Sequence, residues 1–332
     1  MLLLGALTAF AHTTVLADEA VAALNVRADG VYVDCTAGGG GHSSRIASLL
    51  GATGRLIAFD RDATAVSVAS ARIAEALSNR PEAERPRVEV VHASFSELRG
   101  ELASRGVEAG GVHGILADLG VSSPQLDEPG RGFSFRHDGP LDMRMDRSQG
   151  PSAADLVASL SETELADIIF RYGDERDSRR IARSLVARRA LKPFVTTADL
   201  AAVIAAAKGP VKRRKNGPSI HPATKSFQAL RIATNGELDQ LDSLLSSALS
   251  ALEPSGRLAV ITFHSGEDRP VKQTFASWAR GPELPPAQAI FRSHGEPLVR
   301  LPHPKGVAPG RAEVAANPRA RSARLRVAEK LS

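Results

Sequence analysis

Apolar and polar positions along the first third of the chain fall into two alternating patterns. Residues 30–35 (GVYVDC), 54–62 (GRLIAFDRD), 87–95 (RVEVVHASF) and 112–120 (VHGILADLG) are short and largely apolar, the signature of strands covered on both faces. Between them, stretches such as ATAVSVASARIAEAL and SSRIASLLG place apolar residues at helical spacing. Strand and helix in alternation predict a parallel, doubly wound α/β sheet.

After Gly120 the pattern breaks. Residues 121–152 are rich in Gly, Pro and Asp and predict a long irregular loop. From there to about Asn235 only helical periodicity remains. SETELADIIFRYG opens with a capping box, Ser161 and Glu164, and aligns Leu165, Ile168, Ile169 and Tyr172 on one face. TTADLAAVIAAA is capped in the same way by Thr196. These segments predict a helical insertion. Residues 235–256 then form an amphipathic helix through Leu238, Leu241, Leu245 and Leu252, followed by a turn, and RLAVITFHS (257–265) returns the chain to the sheet. Residues 282–309 are rich in Pro and Gly, and SARLRVAEK alternates like an edge strand.

Composition narrows the class. With 332 residues, 43% hydrophobic and 24% charged, the chain is of ordinary globular type and long enough for a large domain with an insertion. The single cysteine, Cys35, has no intrachain partner and no metal-site spacing around it, which predicts a reducing, cytoplasmic compartment and no metal. The opening MLLLGALTAFAHTT lacks the basic start of an export signal, and no apolar run approaches the ~20 residues that span a bilayer. Net charge is only +5, yet basic residues concentrate in 176–189, 208–218 and 317–326, which points to an anionic, nucleic-acid partner.

The chemistry centres on VDCTAGGGGHSSRIA (33–47). A strand entering a glycine turn and then a helix N-terminus brings backbone N–H groups against a ligand at the carboxyl edge of the sheet. No Lys-Ser/Thr follows the glycines, so the loop is not of the phosphate-binding NTPase type. Asp60 ends the second strand, where a carboxylate accepts both hydroxyls of a ribose, and Asp34 precedes the turn. Nicotinamide and S-adenosylmethionine sites both fit, and an acid before the glycines suits the second. The fourth strand ends in ADLGVSSPQ, placing Asp118 where an acceptor can hold one N–H of an exocyclic amine; a turn or helix cap would use the same residues. Cys35, in the strand-to-glycine turn, is read as packing and not as the nucleophile that methylation of a ring carbon would require.

The strings YVDCTAGGGGHSSRI, DLGVSSPQLDEPGRGFSFRHDGPLDMRMD, YGDERDSRRIARSLV, HPATKSFQALRI and GRLAVITFHSGEDRPVK closely resemble the bacterial ribosomal small-subunit RNA methyltransferase H family, from about His12 to Lys330. The resemblance implies a class I S-adenosylmethionine-dependent methyltransferase, a Rossmann-like doubly wound sheet with an inserted all-helical domain. The core then occupies 1–128 and 233–332, and the insertion, with an RNA-recognition role, 129–232. It further implies methyl transfer to the N4 amine of a cytidine in the decoding region of 16S ribosomal RNA. The small ribosomal subunit is the implied partner, with no membrane; whether the protein acts as monomer or homodimer stays open. The family positions carry over to Gly40, Gly41, His42, Asp60, Phe95, Asp118 and Gln125 as cofactor-binding residues, with Asp118 also catalytic. The chain departs from the family pattern at His113, Gly236, Gly266 and Pro270, and the last two leave the roles of His264 and Asp268 open. Lys212 to Lys215 are expected to meet phosphates, Phe133 and Phe135 to stack on a base or to pack, and the methionines of MRM to fill core.

Overall fold

The computed structural model describes residues 14–209, 221–284 and 294–332. The chain divides into two compact units, one formed by residues 14–120 and 238–332 and the other by 121–237.

The first unit is built on a seven-stranded sheet. Helix α1 (Ala17–Leu24) leads to β1 (Val31–Asp34), α2 (Gly41–Leu49), β2 (Arg55–Asp60), α3 (Ala63–Leu77), β3 (Arg87–His92), α4 (Leu98–Ser104) and β4 (Val112–Asp118). The strand order is β3-β2-β1-β4-β5-β7-β6, where β5 is Leu252–Thr262, β6 Val299–Arg300 and β7 Arg324–Lys330. The first five strands in that order are parallel, and β7 is antiparallel to both its neighbours. Period two along each strand sorts side chains to opposite faces. Val33, Ile57, Ile115 and Val260 pack in one core; Tyr32, Leu56, Leu116 and Ile261 pack in the other, with Ile46 of α2 and Ile73 of α3. The reversal of strand order between β1 and β4 opens the crevice at which doubly wound sheets bind ligands.

Two expectations need correction here. The turn expected at EPSG is a bulge inside β5: Val112 pairs with Leu252 but Gly114 with Arg257, and Ser255 adopts φ 66° to absorb the extra residues. The expected edge strand is internal. β7 lies between β5 and β6, and residues Leu325 to Glu329 are buried.

The second unit is helical. It holds α5 (Ser123–Asp127) and, around Leu165, Ile169, Ile181, Leu185, Leu200 and Phe227, α6 (Ala153–Ser159), α7 (Glu162–Gly173), α8 (Ser178–Arg189), α9 (Thr197–Lys208) and α10 (Thr224–Asn235). Helix α7 starts where its capping box predicts, with Ser161 accepting the Glu164 N–H and Glu164 accepting the Ser161 N–H. Helix α11 (Glu237–Ala251) begins as α10 ends, and Gly236 supplies the left-handed φ of 59° at that junction. The last long helix, α12 (Ser265–Arg280), runs through Gly266 and Pro270 without a break.

Within the helical unit the irregular segment is tightly held. The Asn235 carboxamide accepts the Met145 N–H at 2.9 Å and donates to the Met143 carbonyl at 2.7 Å. Met143, fully buried, is thereby fixed at φ 62°. Phe133 is buried beneath Arg131, and Phe135 packs on Phe227 and His221, so both rings are committed to packing. Met143 and Met145 are core residues, as expected.

Candidate active site at the carboxyl edge of the sheet

The glycine turn lies between β1 and α2, and its glycines answer to different demands. A Cβ on Gly40 would sit 2.9 Å from Cα of Ala69 in α3, and Gly40 itself has φ +75°. One on Gly41 would collide with the Thr14 hydroxyl at 1.8 Å. These two are therefore required by the packing of the chain on itself. Gly38, at φ +50°, has only its own neighbour's carbonyl, Thr36, within 4 Å of that position and faces open space.

Carboxylates organise the turn. Asp34 is fully buried; it accepts the Ser43 hydroxyl at 2.5 Å and the Thr36 N–H at 3.0 Å, tying β1 to the first turn of α2. It is a brace and does not present a free face to a ligand. Asp60 accepts the Gly38 N–H at 2.7 Å on one oxygen and the Asp62 N–H at 2.8 Å on the other, which leaves each oxygen a second lone pair. Burial raises Asp60 to about 6, against the lowering pull of those two amides. Asp118 ends β4. Its N–H donates to the Thr36 hydroxyl at 2.6 Å, one carboxylate oxygen lies 3.9 Å from Nδ1 of His42, and the other is sealed from water with no hydrogen-bond partner among the described residues. Burial pushes its carboxyl well above the ordinary range, and the charges of Asp34 and Glu267 push it further. No lysine or arginine among the described residues pairs with Asp34, Asp60 or Asp118.

The sheet-bearing unit thus brings together Gly40, Gly41, His42, Asp60 and Asp118 around the ends of β1, β2 and β4, with Phe95 half-buried just past β3. Gln125 belongs to the helical unit, where its side chain accepts the Ser122 N–H at 3.0 Å and closes the capping box of α5. Cys35 is buried, and its thiol is pushed up by burial and by Asp34, so packing is its role. Glu267 was not singled out by its sequence context. Its place in the first turn of a helix following β5 was the available signal. His113 accepts the Val31 N–H at 3.1 Å and faces Glu253, a bracing function for an unusual residue.

A parallel sheet in this strand order with an antiparallel β7, a glycine turn after β1 and an uncompensated acid-lined edge defines a class I S-adenosylmethionine-dependent methyltransferase. A model of the MraW methylase family matches residues 9–331, and the chain belongs to that family. It is 46% identical over 322 residues to a ribosomal RNA small subunit methyltransferase H from Lactiplantibacillus plantarum, covering 97% of this chain and 98% of the relative. A solved rRNA methylase from Streptococcus thermophilus aligns over 95% of this chain and 93% of its own, at 11% identity and a TM-score of 0.41. A likeness that low adds nothing to what the strand order states.

The residues present fit the donor of that class. S-adenosylmethionine carries a sulfonium and an ammonium, and the edge of the sheet offers a buried carboxylate oxygen on Asp118 that no lysine or arginine among the described residues meets. Among the described residues no helix is long and apolar enough to cross a membrane, and no cluster of three metal-ligating side chains occurs.

Proposed function

We propose that the protein transfers the methyl group of S-adenosylmethionine directly, in line, to the N4 amine of a specific cytidine in the decoding region of 16S ribosomal RNA, in the cytoplasm. The observation that carries this reading is Asp118: a largely buried acid at the end of β4, raised by its surroundings, with one oxygen shielded from water and without a hydrogen-bond partner among the described residues. An exocyclic amine has its nitrogen lone pair delocalised into the ring. An acceptor holding one N–H lets that nitrogen rehybridise toward the methyl carbon.

In this reading Gly40, Gly41 and His42 border the donor at the start of α2, Asp60 takes the ribose hydroxyls, Phe95 lies beside the adenine, and Asp118 meets the amine, with Gln125 a further contact. The donor supplies an activated methyl and leaves as a neutral thioether, so the protein's own work is binding, alignment and exclusion of water. The family relative named for small-subunit ribosomal RNA supports the substrate.

RNA engagement is assigned to the helical insertion, read as residues 129–232. Helix α8 buries Ser178, Ile181, Ala182 and Leu185, and its other face exposes Arg179, Arg180 and Arg183, with Arg176 exposed two residues before its start. Arginines at that spacing form a stripe suited to phosphates. Lys212 to Lys215, assigned the same role from sequence, lie outside the described residues.

The test is incubation with labelled S-adenosylmethionine and small subunits lacking the modification, followed by mapping of the methylated base. Label at a cytosine N4 supports the reading; label at a ring carbon or a ribose overturns it.

A further inference from the structure

Methylating an amine releases a proton, and we propose that His264 accepts it, with Glu267 positioning the imidazole. The inference rests on the amine-methylation reading above. Strand pairing sets the place. Asp118 of β4 is level with Ile261 of β5, and the Leu119 N–H donates to the Ile261 carbonyl at 3.0 Å. Two residues beyond each, a Cβ on Gly120 would touch the Phe263 ring at 3.6 Å. The chain leaving β5 therefore runs beside the chain leaving β4. It delivers His264, and Glu267 in the first turn of α12, to the neighbourhood of Asp118, whose carboxyl feels the Glu267 charge.

The pair itself has the form of a dyad. Glu267 is 2% exposed; one of its oxygens accepts the Phe263 N–H at 2.9 Å, and the other stands 3.0 Å from Nε2 of His264. That contact is off the line of a hydrogen bond. Both ring nitrogens are shielded from water and make no hydrogen bond to a described residue. Buried imidazoles ordinarily use their nitrogens. Two idle ones beside a buried carboxylate match a catalytic dyad before its substrate arrives, when such bonds are often misaligned. Gly266 forms the floor of the ring, since a Cβ there would lie 3.0 Å from Nδ1.

Asp268 has a different task. It binds Arg326 through two hydrogen bonds of 2.6 and 2.8 Å and accepts the Thr262 hydroxyl at 3.2 Å. These bonds clamp the first turn of α12 to β5 and β7 and hold the dyad in place.

The step balances. As the amine nitrogen bonds to the methyl carbon, the carbon–sulfur bond breaks and its electron pair stays on sulfur. The nitrogen then carries one proton in excess and passes it to the unprotonated nitrogen of His264, and the Glu267 carboxylate offsets the imidazolium charge. Asp118 keeps the remaining N–H.

The experiment compares the unaltered protein, His264→Asn, His264→Gly and Glu267→Gln in methyl transfer to unmodified small subunits, with donor affinity measured in parallel by calorimetry. Expected are a fall in kcat of about 100-fold for His264→Asn with KM for the donor held within about twofold, and recovery of His264→Gly by added imidazole. Glu267→Gln should lose about tenfold in kcat; if both His264 variants lose donor binding, an undiminished kcat in Glu267→Gln overturns the proposal. A wild-type rate in His264→Asn, or a His264→Gly enzyme that binds donor, transfers slowly and is not restored by imidazole, overturns it as well. An unaltered protein that transfers no methyl to an amine fails separately, and it removes the function and the proton together.

Discussion

Acidic side chains are treated in opposite ways in the two units. In the helical unit, several buried or half-buried acids have a cation in hand. Asp142 takes two hydrogen bonds from Arg144, at 2.8 and 3.1 Å, and has Arg147 at 3.3 Å; Asp199 is bound by Arg188, Glu237 by Arg231 and Glu175 by Lys208. Asp142 and Glu175 are lowered despite the opposing effect of burial, by hydrogen bonds and charges from those partners. At the edge of the sheet Asp34, Asp60 and Asp118 are all raised, chiefly by burial, with no lysine or arginine among the described residues beside them. The first arrangement completes a fold. The second leaves acids at the carboxyl edge of the sheet that no described lysine or arginine offsets, which is where the proposed site lies.

This contrast fails if neutralising the two kinds of acid has the same consequence. Asp118→Asn should cut methyl transfer by at least about 100-fold while leaving the unfolding midpoint equal or higher, because the site already disfavours the ionised carboxyl that the amide replaces. Asp142→Asn should do the reverse, lowering unfolding free energy by about 2 kcal/mol in denaturant titration, below the range for a fully buried pair because Arg144 reaches solvent.

Asp60→Asn should weaken donor affinity about tenfold by calorimetry, the loss of one charged hydrogen-bond acceptor. The pH dependence has a definite sign. A carboxyl raised to about 6 in the folded protein stabilises the ligand-free fold most below the unfolded value near 3.8, and that contribution is lost as pH rises toward 6. Ribose hydroxyls prefer the ionised acceptor, so donor affinity should rise between pH 5 and 7, and Asp60→Asn should flatten that rise. The smallest effect is expected at the surface. Arg176→Ala with Arg179→Ala should reduce RNA affinity about fivefold and lower the salt slope by about two, with donor affinity unchanged.

What the sequence made legible was local. The capping box of α7 and the Thr196 cap of α9 were readable because both partners lie within four residues. Strands β1, β2 and β4 were readable because burial on both faces leaves them little polarity. Less local features were not. The EPSG bulge depends on the register of β5 against β4, and the interior place of β7 depends on the two-residue β6. The glycines were visible, but that Gly40 and Gly41 serve Ala69 and Thr14 is tertiary information. Asp34 reads the same in sequence whether it faces a ligand or braces Ser43. Glu267 escaped notice because two more conspicuous residues, His264 and Asp268, flank it, and only the pairing of Asp268 with Arg326 sorts their roles.

The sheet is also assembled out of chain order. As the protein emerges from the ribosome, β4 appears with one edge open, and its neighbour β5 follows only after the helical unit has been made. Arg326, which secures α12 through Asp268, comes later still. A nascent chain halted between residues 281 and 323 would therefore hold an unpaired strand edge and an unanchored helix, a species prone to aggregation and open to chaperone capture.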